Sequence, residues 1–385
     1  MKRLLVIALF SMLTSGCTWL TNYFSGDENI DPPKELTELK NAITIEKIWS
    51  VSTGQGSGEQ LLRLVPALNN QNVYVASRDG SVLAYSLKTG EPVWETKTVN
   101  KISAGPGVGL GMVVVGTRNA EVIAYDVSSG KQVWVTKVSS EVLSVPEVKQ
   151  NSVVVRTSDG RVTALSAKQG KILWEFQQRE PSLTLRGTSK PIISEGNVYS
   201  GFDNGQLISI NIKQGRQNWQ KKVAVPRGRT ELQRIIDLDA DPVISKGIIY
   251  AAAYQGNVAA LSQQDGSIIW RRKISSYAGL SVKGENIFLT DATGQVWSLH
   301  NTNGASLWRQ DALQWRSLTA PVVLGRYIIV ADFEGYVHFL DQADGHQLAR
   351  ARADTDGIQV PPVVMNDILV TLGKGGELTA FKVKR

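Results

Sequence analysis

Cysteine is almost absent from this chain of 385 residues: Cys17 stands alone. An internal disulfide and a cysteine-rich metal site are both excluded. Histidine is nearly as scarce. His300, His338 and His346 share no ligand spacing, so neither a metal site nor a catalytic base is expected among them. No nucleophile elbow is present. The one long apolar run, Leu4 to Leu13, is about half of what a membrane-spanning helix needs. Basic residues exceed acidic ones by only seven and form no concentrated stripe, which excludes nucleic acid as an expected partner.

What is present begins with that apolar run. Lys2-Arg3 ahead of it and Ser15-Gly16 behind it make residues 1–16 a secretory signal peptide. Its removal takes two positive charges and leaves a formal charge of +5. Small residues directly before a lone cysteine resemble a bacterial lipobox, with Thr14 where leucine is usual. The resemblance implies lipidation of Cys17, and Thr18 after it implies sorting to the outer membrane. The alternative is a secreted protein with a free cysteine. Residues 17–42 are polar and are expected to be a flexible tether, with one short helix beginning at Pro32-Pro33 and running into KELTELK.

From residue 43 to 385 the chain repeats itself. The stretch from Pro146 to Glu175 shows the unit: short apolar runs, each bounded by turn residues and too short for a helix. A proline opens the unit and a corner glycine follows fourteen residues later, with Leu280 and Ala120 as the substitutes. The pairs are Pro66/Gly80, Pro106/Ala120, Pro146/Gly160, Pro191/Gly205, Pro242/Gly256, Leu280/Gly294, Pro321/Gly335 and Pro362/Gly376. Ten residues on comes a second glycine, and four beyond it a tryptophan: Trp94, Trp134, Trp174, Trp219, Trp270, Trp308, then Ala349. The eighth unit ends at Arg385 without its tryptophan strand. Trp49, in IEKIW just after the tether, supplies that strand and closes a ring without a free seam. The expectation is an all-β fold: an eight-bladed β-propeller of four-stranded antiparallel blades, with an N-terminal strand completing the last blade.

The position four after the corner glycine is small in seven units and is Phe339 in the remaining one, the seventh along the chain. That is the unit with Ala349 in place of tryptophan, so a large residue and a small one are expected to have exchanged places at one packing site. The combination of small residue, corner glycine and tryptophan resembles the PQQ-type propeller repeat of quinoprotein dehydrogenases and their relatives. Such enzymes usually carry a vicinal disulfide and a carboxylate-held calcium, and this propeller has no cysteine. Asp237-Leu-Asp239-Ala-Asp241 begins like a calcium loop, but Pro242 and Ile248 stand where glycine and glutamate are required. The glycine-rich run GPGVGLG at 105–111 has no helix after it, so tight turns are expected there, not a phosphate cradle. No catalytic residue, cofactor or metal is expected.

Function in a closed ring lies in the connections that outgrow the repeat. The interval from tryptophan to the next proline is twelve residues after Trp94 and Trp134, seventeen after Trp174 and twenty-three after Trp219; it is also seventeen after Trp49, on the far side of the ring. The long connections after Trp174 and Trp219 are consecutive and emerge side by side. Leu183, Leu185 and Arg186 in the first, with Asp237 and Asp239 in the second, read either as loops that cap each other, Arg186 pairing with Asp237 or Asp239, or as a protein-docking patch of apolar anchors and flanking charges. Signal, lipobox, tether and propeller together resemble the assembly-factor lipoproteins of the bacterial outer-membrane β-barrel assembly (BAM) machinery. In that family a Leu-x-Leu-Arg loop and an Asp-x-Asp loop dock on a periplasmic POTRA domain of BamA. The resemblance implies a non-enzymatic scaffold on the periplasmic side of the outer membrane, with unfolded outer-membrane β-barrel proteins as further partners. The rival expectations are a secreted propeller binding a sugar or polymer in its central funnel, and a quinoprotein dehydrogenase.

Overall fold

Short apolar runs between turn residues produce strands throughout. The computed structural model describes residues 31–179, 181, 189–225, 229–230 and 235–384. Within them lie thirty-two strands in eight four-stranded antiparallel sheets. Cys17, Leu183, Leu185 and Arg186 lie outside the described residues. Blade 3 is representative. Its inner strand is Glu147–Lys149, followed outward by Ser152–Arg156, Arg161–Ser166 and Ile172–Gln177.

Seven blades use consecutive strands and are numbered in chain order, blade 1 spanning residues 67–97, blade 2 102–137, blade 3 147–177, blade 4 192–222, blade 5 243–272, blade 6 279–310 and blade 7 322–352. Blade 8 joins Val363–Met365, Ile368–Leu372 and Glu377–Val383 to Ile45–Ser52 from the other end of the chain. Trp49 faces Ala380 across that seam, as the repeat requires. The inner strand of blade 8 adjoins that of blade 1, Ala67–Leu68, so the ring is closed.

The repeated tryptophan and the repeated second glycine meet between blades, not within one. Each indole N–H donates to a backbone carbonyl in the outer turn of the next blade. Trp94 reaches Val127, Trp134 reaches Ala167, Trp174 reaches Ile212 and Trp49 reaches Leu87, at 2.6–3.0 Å. Trp219, Trp270 and Trp308 repeat the bond at Gln263, Asn301 and Gln342. The ring then lies flat on that turn's glycine. A Cβ built on Gly90, Gly130, Gly170, Gly215, Gly266, Gly304 or Gly345 would stand 2.5–2.7 Å from the indole of the preceding blade. Within its own blade each tryptophan faces the small residue, as Trp134 faces Ala124 and Trp174 faces Ala164, and the register shifts by one residue directly after it.

Phe339 and Ala349 are direct cross-strand partners, so they lie on one side of blade 7, and both are fully buried. The space beyond them is filled by Phe381, Ile43, Ile45 and Val383. Blade 8 has chain ends where the other blades have an outer glycine turn. An indole at position 349 would have no turn to stack on, and the phenylalanine fills the volume from the opposite strand.

Two expectations are corrected. The run at 105–111 begins within a strand, Ile102–Gly109, and only its end turns. Gly107 and Gly109 are required because the carbonyls of Pro146 and Val148 in the next inner strand crowd the place of a side chain. KELTELK forms no helix: residues 31–41 have no regular secondary structure, and the segment is bonded to Gln314 in the connection before blade 7 and to Leu348 in its outer strand.

Glycine is required at 170 for two reasons, a φ of +69° and the indole of Trp134, whereas Gly196 has a φ of +76° and nothing within 4 Å. Urea unfolding should therefore separate two alanine variants. Gly196→Ala is expected to cost about 1 kcal/mol and Gly170→Ala about 3 kcal/mol. Equal costs would remove the indole from the explanation.

Candidate docking site on the connection face

The connections from outer strand to next inner strand share one face with the corner turns, called here the connection face. The two long insertions, 178–191 and 223–241, arise there on either side of blade 4. Their far ends are held by charge. Asp241 accepts the Lys190 N–H at 2.7 Å and is ion-paired with Arg63, from the connection between blades 8 and 1. One carboxylate thus ties the second insertion to the end of the first and to the far side of the funnel. Lys190 Nζ also pairs with Glu147 at 2.7 Å.

Beneath this tie Arg156 is buried, with 1% of its surface exposed. It donates to the Gly201 carbonyl at 2.7 Å and to Asp203 Oδ1 at 2.6 Å, and lies 4.7 Å over the Phe202 ring. Removing one partner of a buried pair of this kind costs about 3–5 kcal/mol, because the other charge stays desolvated.

Asp237 and Asp239 belong to this floor and not to the outer surface. They are 0% and 6% exposed, in a segment where Ile235, Ile236, Leu238 and Ala240 are also buried. Ile236 packs against Gly205, Leu238 against Gly201, and the Asp237 carbonyl accepts the Tyr254 N–H at 2.9 Å. Burial, with Asp203 and Asp237 nearby, pushes the Asp239 carboxyl up to about 8, against the pull of Arg156 and Arg63. The described part of this site exposes apolar and aromatic side chains beside Arg179, Arg229 and Thr230. Val225 is exposed, and Tyr277 is exposed beside Tyr254, edge to face at 6.1 Å.

Sequence reasoning singled out Asp237 and Asp239 and missed Arg63, Glu147, Arg156, Lys190, Asp203 and Asp241 as parts of one network. A signal existed for Arg156. Four residues before the corner glycine the eight units carry Ala76, Gly116, Arg156, Gly201, Ala252, Thr290, Ala331 and Leu372, and only one of these is charged.

Two further clefts differ in character, and the one of about 400 Å³ lined by Lys47, Arg352, Asp354, Thr355, Asp356 and Glu377 is polar. A cleft of about 480 Å³ on the axis is lined by Leu68, Val282, Val322, Val323, Val363 and Val364, with Ser281 as its one hydroxyl. A sugar needs more hydrogen-bonding groups than that. His338 is buried between Asp332 at 3.0 Å and Gln347 at 2.8 Å, inside blade 7. Among the described residues no three His, Cys, Asp or Glu side chains are placed to hold a metal ion.

Comparison with known proteins gives a consistent picture. The family model described as outer membrane protein assembly factor BamB matches residues 41–104, 78–310 and 299–385. The outer membrane protein assembly factor BamB of Pseudomonas aeruginosa is 47% identical over 353 residues, covering 92% of this chain and 93% of that protein. The crystal structure of BamB from Moraxella catarrhalis superposes with a TM-score of 0.81 at 25% identity, covering 88% of this chain and all of that one. Quinohemoprotein alcohol dehydrogenase from Comamonas testosteroni shares the fold alone, with a TM-score of 0.69 at 13% identity over 89% of this chain and 77% of its own.

The raised Asp239 carboxyl has a signed consequence. Between its ordinary value of 3.8 and about 8 the folded protein holds a proton that the unfolded chain releases, so this group's stabilisation is lost as pH rises through that window. Asn cannot ionise. The unfolding free energy of Asp239→Asn should gain on that of the wild type as pH is raised from 5 to 8, by up to about 1.4 kcal/mol per pH unit, and then level off. Parallel curves would show that Asp239 is ionised throughout.

Proposed function

The chain belongs to the family of the outer membrane protein assembly factor BamB, and from that membership we propose a scaffold of the BAM machinery that docks through its connection face on a periplasmic POTRA domain of BamA. It is not an enzyme: its relatives at 47% and 35% identity are assembly factors, and the dehydrogenases that share the propeller are distant. It acts at the outer membrane. A lipid on Cys17, after removal of residues 1–16, holds it there on the periplasmic side through residues 18–30.

The observation that carries the docking reading is the pair of insertions tied together by Asp241 and the buried floor. They are the two neighbouring connections that outgrow the repeat, and the connection after Trp49, equally long, lies across the ring and supplies Arg63 to the tie. Leu183 and Leu185 supply apolar anchors and Arg186 the charge that sets register. Burial of two leucines contributes about 3–6 kcal/mol before the costs of association. Asp237 and Asp239 act from below, by holding the shape of the second insertion, and Val225, Tyr254 and Tyr277 extend the surface. Unfolded β-barrel proteins are the clients of the machinery that this scaffold serves.

Substituting Leu185→Ala and Arg186→Ala together should abolish co-purification of BamA from detergent extracts while leaving the melting temperature within about 1 °C. Undiminished co-purification would remove the first insertion from the interface. A large fall in melting temperature would assign these side chains to the fold instead.

A further inference from the structure

The outer strand of each blade presents a free edge, and in blade 7 this edge is covered by the chain's own amino-terminal segment. The outer strand there is Gln347–Arg352. Ala42 N–H donates to the Leu348 carbonyl at 2.7 Å. The Asn41 side chain takes both backbone groups of Arg350, accepting from its N–H at 3.0 Å and donating to its carbonyl at 3.3 Å. The Arg350 guanidinium donates back to the Thr37 carbonyl at 2.9 Å. Leu36 packs into the cluster of Phe288, Leu313, Leu318, Ile328 and Leu340 between blades 6 and 7.

The upper end is held more firmly still. Lys34 N–H donates to the Gln314 carbonyl at 3.0 Å, and its own carbonyl accepts from Arg316 Nη1 at 3.0 Å. Arg316 is buried, bonded through Nε to Asp332 at 2.8 Å, paired with Glu334 and stacked 5.2 Å from Phe333. Losing Lys34 would leave one of its donors without a partner inside the protein, which disfavours release.

The path of this segment decides where the chain leaves the ring. Ile45–Ser52 begins beside Val383, on the face opposite the connections. A chain free up to residue 44 would leave from that opposite face. Residues 34–42 instead climb the rim to Gln314 and Arg316, in the connection between blades 6 and 7. The exit therefore lies on the connection face, two and a half blades round the ring from the midpoint of the two insertions at blade 4.

We propose that residues 34–44 are a strap that transfers the point of membrane attachment from one face of the propeller to the other, so that the insertion-bearing face is the tethered one. This rests on the lipid reading of Cys17. The seventeen residues from Cys17 to Lys34 reach at most about 60 Å in any conformation, and that reach starts from the connection face.

Two measurements on the mature lipidated protein in phospholipid vesicles test the strap and the lipid reading separately. In hydrogen exchange, the Lys34 and Ala42 amides should be protected at least ~100-fold, as bonded amides are. The combined variant Leu36→Ala, Asn41→Ala, Arg350→Ala should lose at least ~10-fold of that protection, with the Ala164 amide unchanged. Protection below ~10-fold in the wild type would overturn the strap. In energy transfer to acceptor-labelled lipid, a dye at Ala312→Cys, on the connection face of blade 6, should transfer more efficiently than one at Thr302→Cys, on the opposite face of that blade. The combined variant should abolish or reverse the order. Equal transfer in the wild type would overturn the face assignment with the strap intact. Failure to bind vesicles would overturn the lipid reading, and the face assignment with it, while exchange still decides the strap.

Discussion

An indole stacked on the glycine turn of the next blade is the contact on which the propeller depends. Three features of the repeat follow from it. The turn must be glycine, because a Cβ would enter the ring of the preceding tryptophan. The residue opposite each tryptophan must be small, so that the ring can lie down across its own sheet. The indole N–H must find a carbonyl, because a buried donor without one is costly, and the turn supplies it. The recurring motif is therefore a relation between neighbours. It also explains the one blade that breaks the pattern, since blade 7 faces the chain ends and has no glycine turn to receive an indole.

A ring built this way leaves little of each blade free. Both faces of every sheet are used by adjacent blades, the seam is closed by a strand from the other end of the chain, and the outer edge of blade 7 is covered by residues 34–42. Variation is left to the connections. The two neighbouring ones that have grown are drawn together by the Arg63–Asp241 pair over a buried floor of Arg156, Asp203, Asp237 and Asp239. Charges placed there are poor candidates for direct contact with a partner, because burial has already committed them to one another. Their effect on docking runs through the shape of the loops above them.

Legibility followed the same division. Spacing alone revealed the blades, their number, the strand shared between the termini and the exchange of Phe339 for Ala349, since each is a local regularity. It also located both insertions, because an interval that departs from twelve residues is visible without coordinates. It misread the environment of individual residues. An Asp-x-Asp pair between apolar residues looks the same in a sequence whether it faces solvent or the funnel. Arg156 was detectable only by aligning the units and asking which position alone carries a charge. KELTELK has helical spacing, yet it forms no helix, and the backbone groups of Lys34 and Thr37 are engaged by Gln314, Arg316 and Arg350 instead.

By itself, then, the sequence determined the architecture: a closed eight-bladed ring, with its seam and its two outgrown connections. Periodic packing writes itself into the chain at fixed intervals, and intervals survive without coordinates. Tertiary structure alone decided which charges are buried together, which face the amino-terminal segment leaves from, and which glycines answer to a neighbour's backbone or to an indole. Those facts depend on residues tens to hundreds of positions apart meeting across the ring, as Arg63 meets Asp241 and Asn41 meets Arg350. No local pattern records such a meeting, because it is set by the curvature of the whole ring.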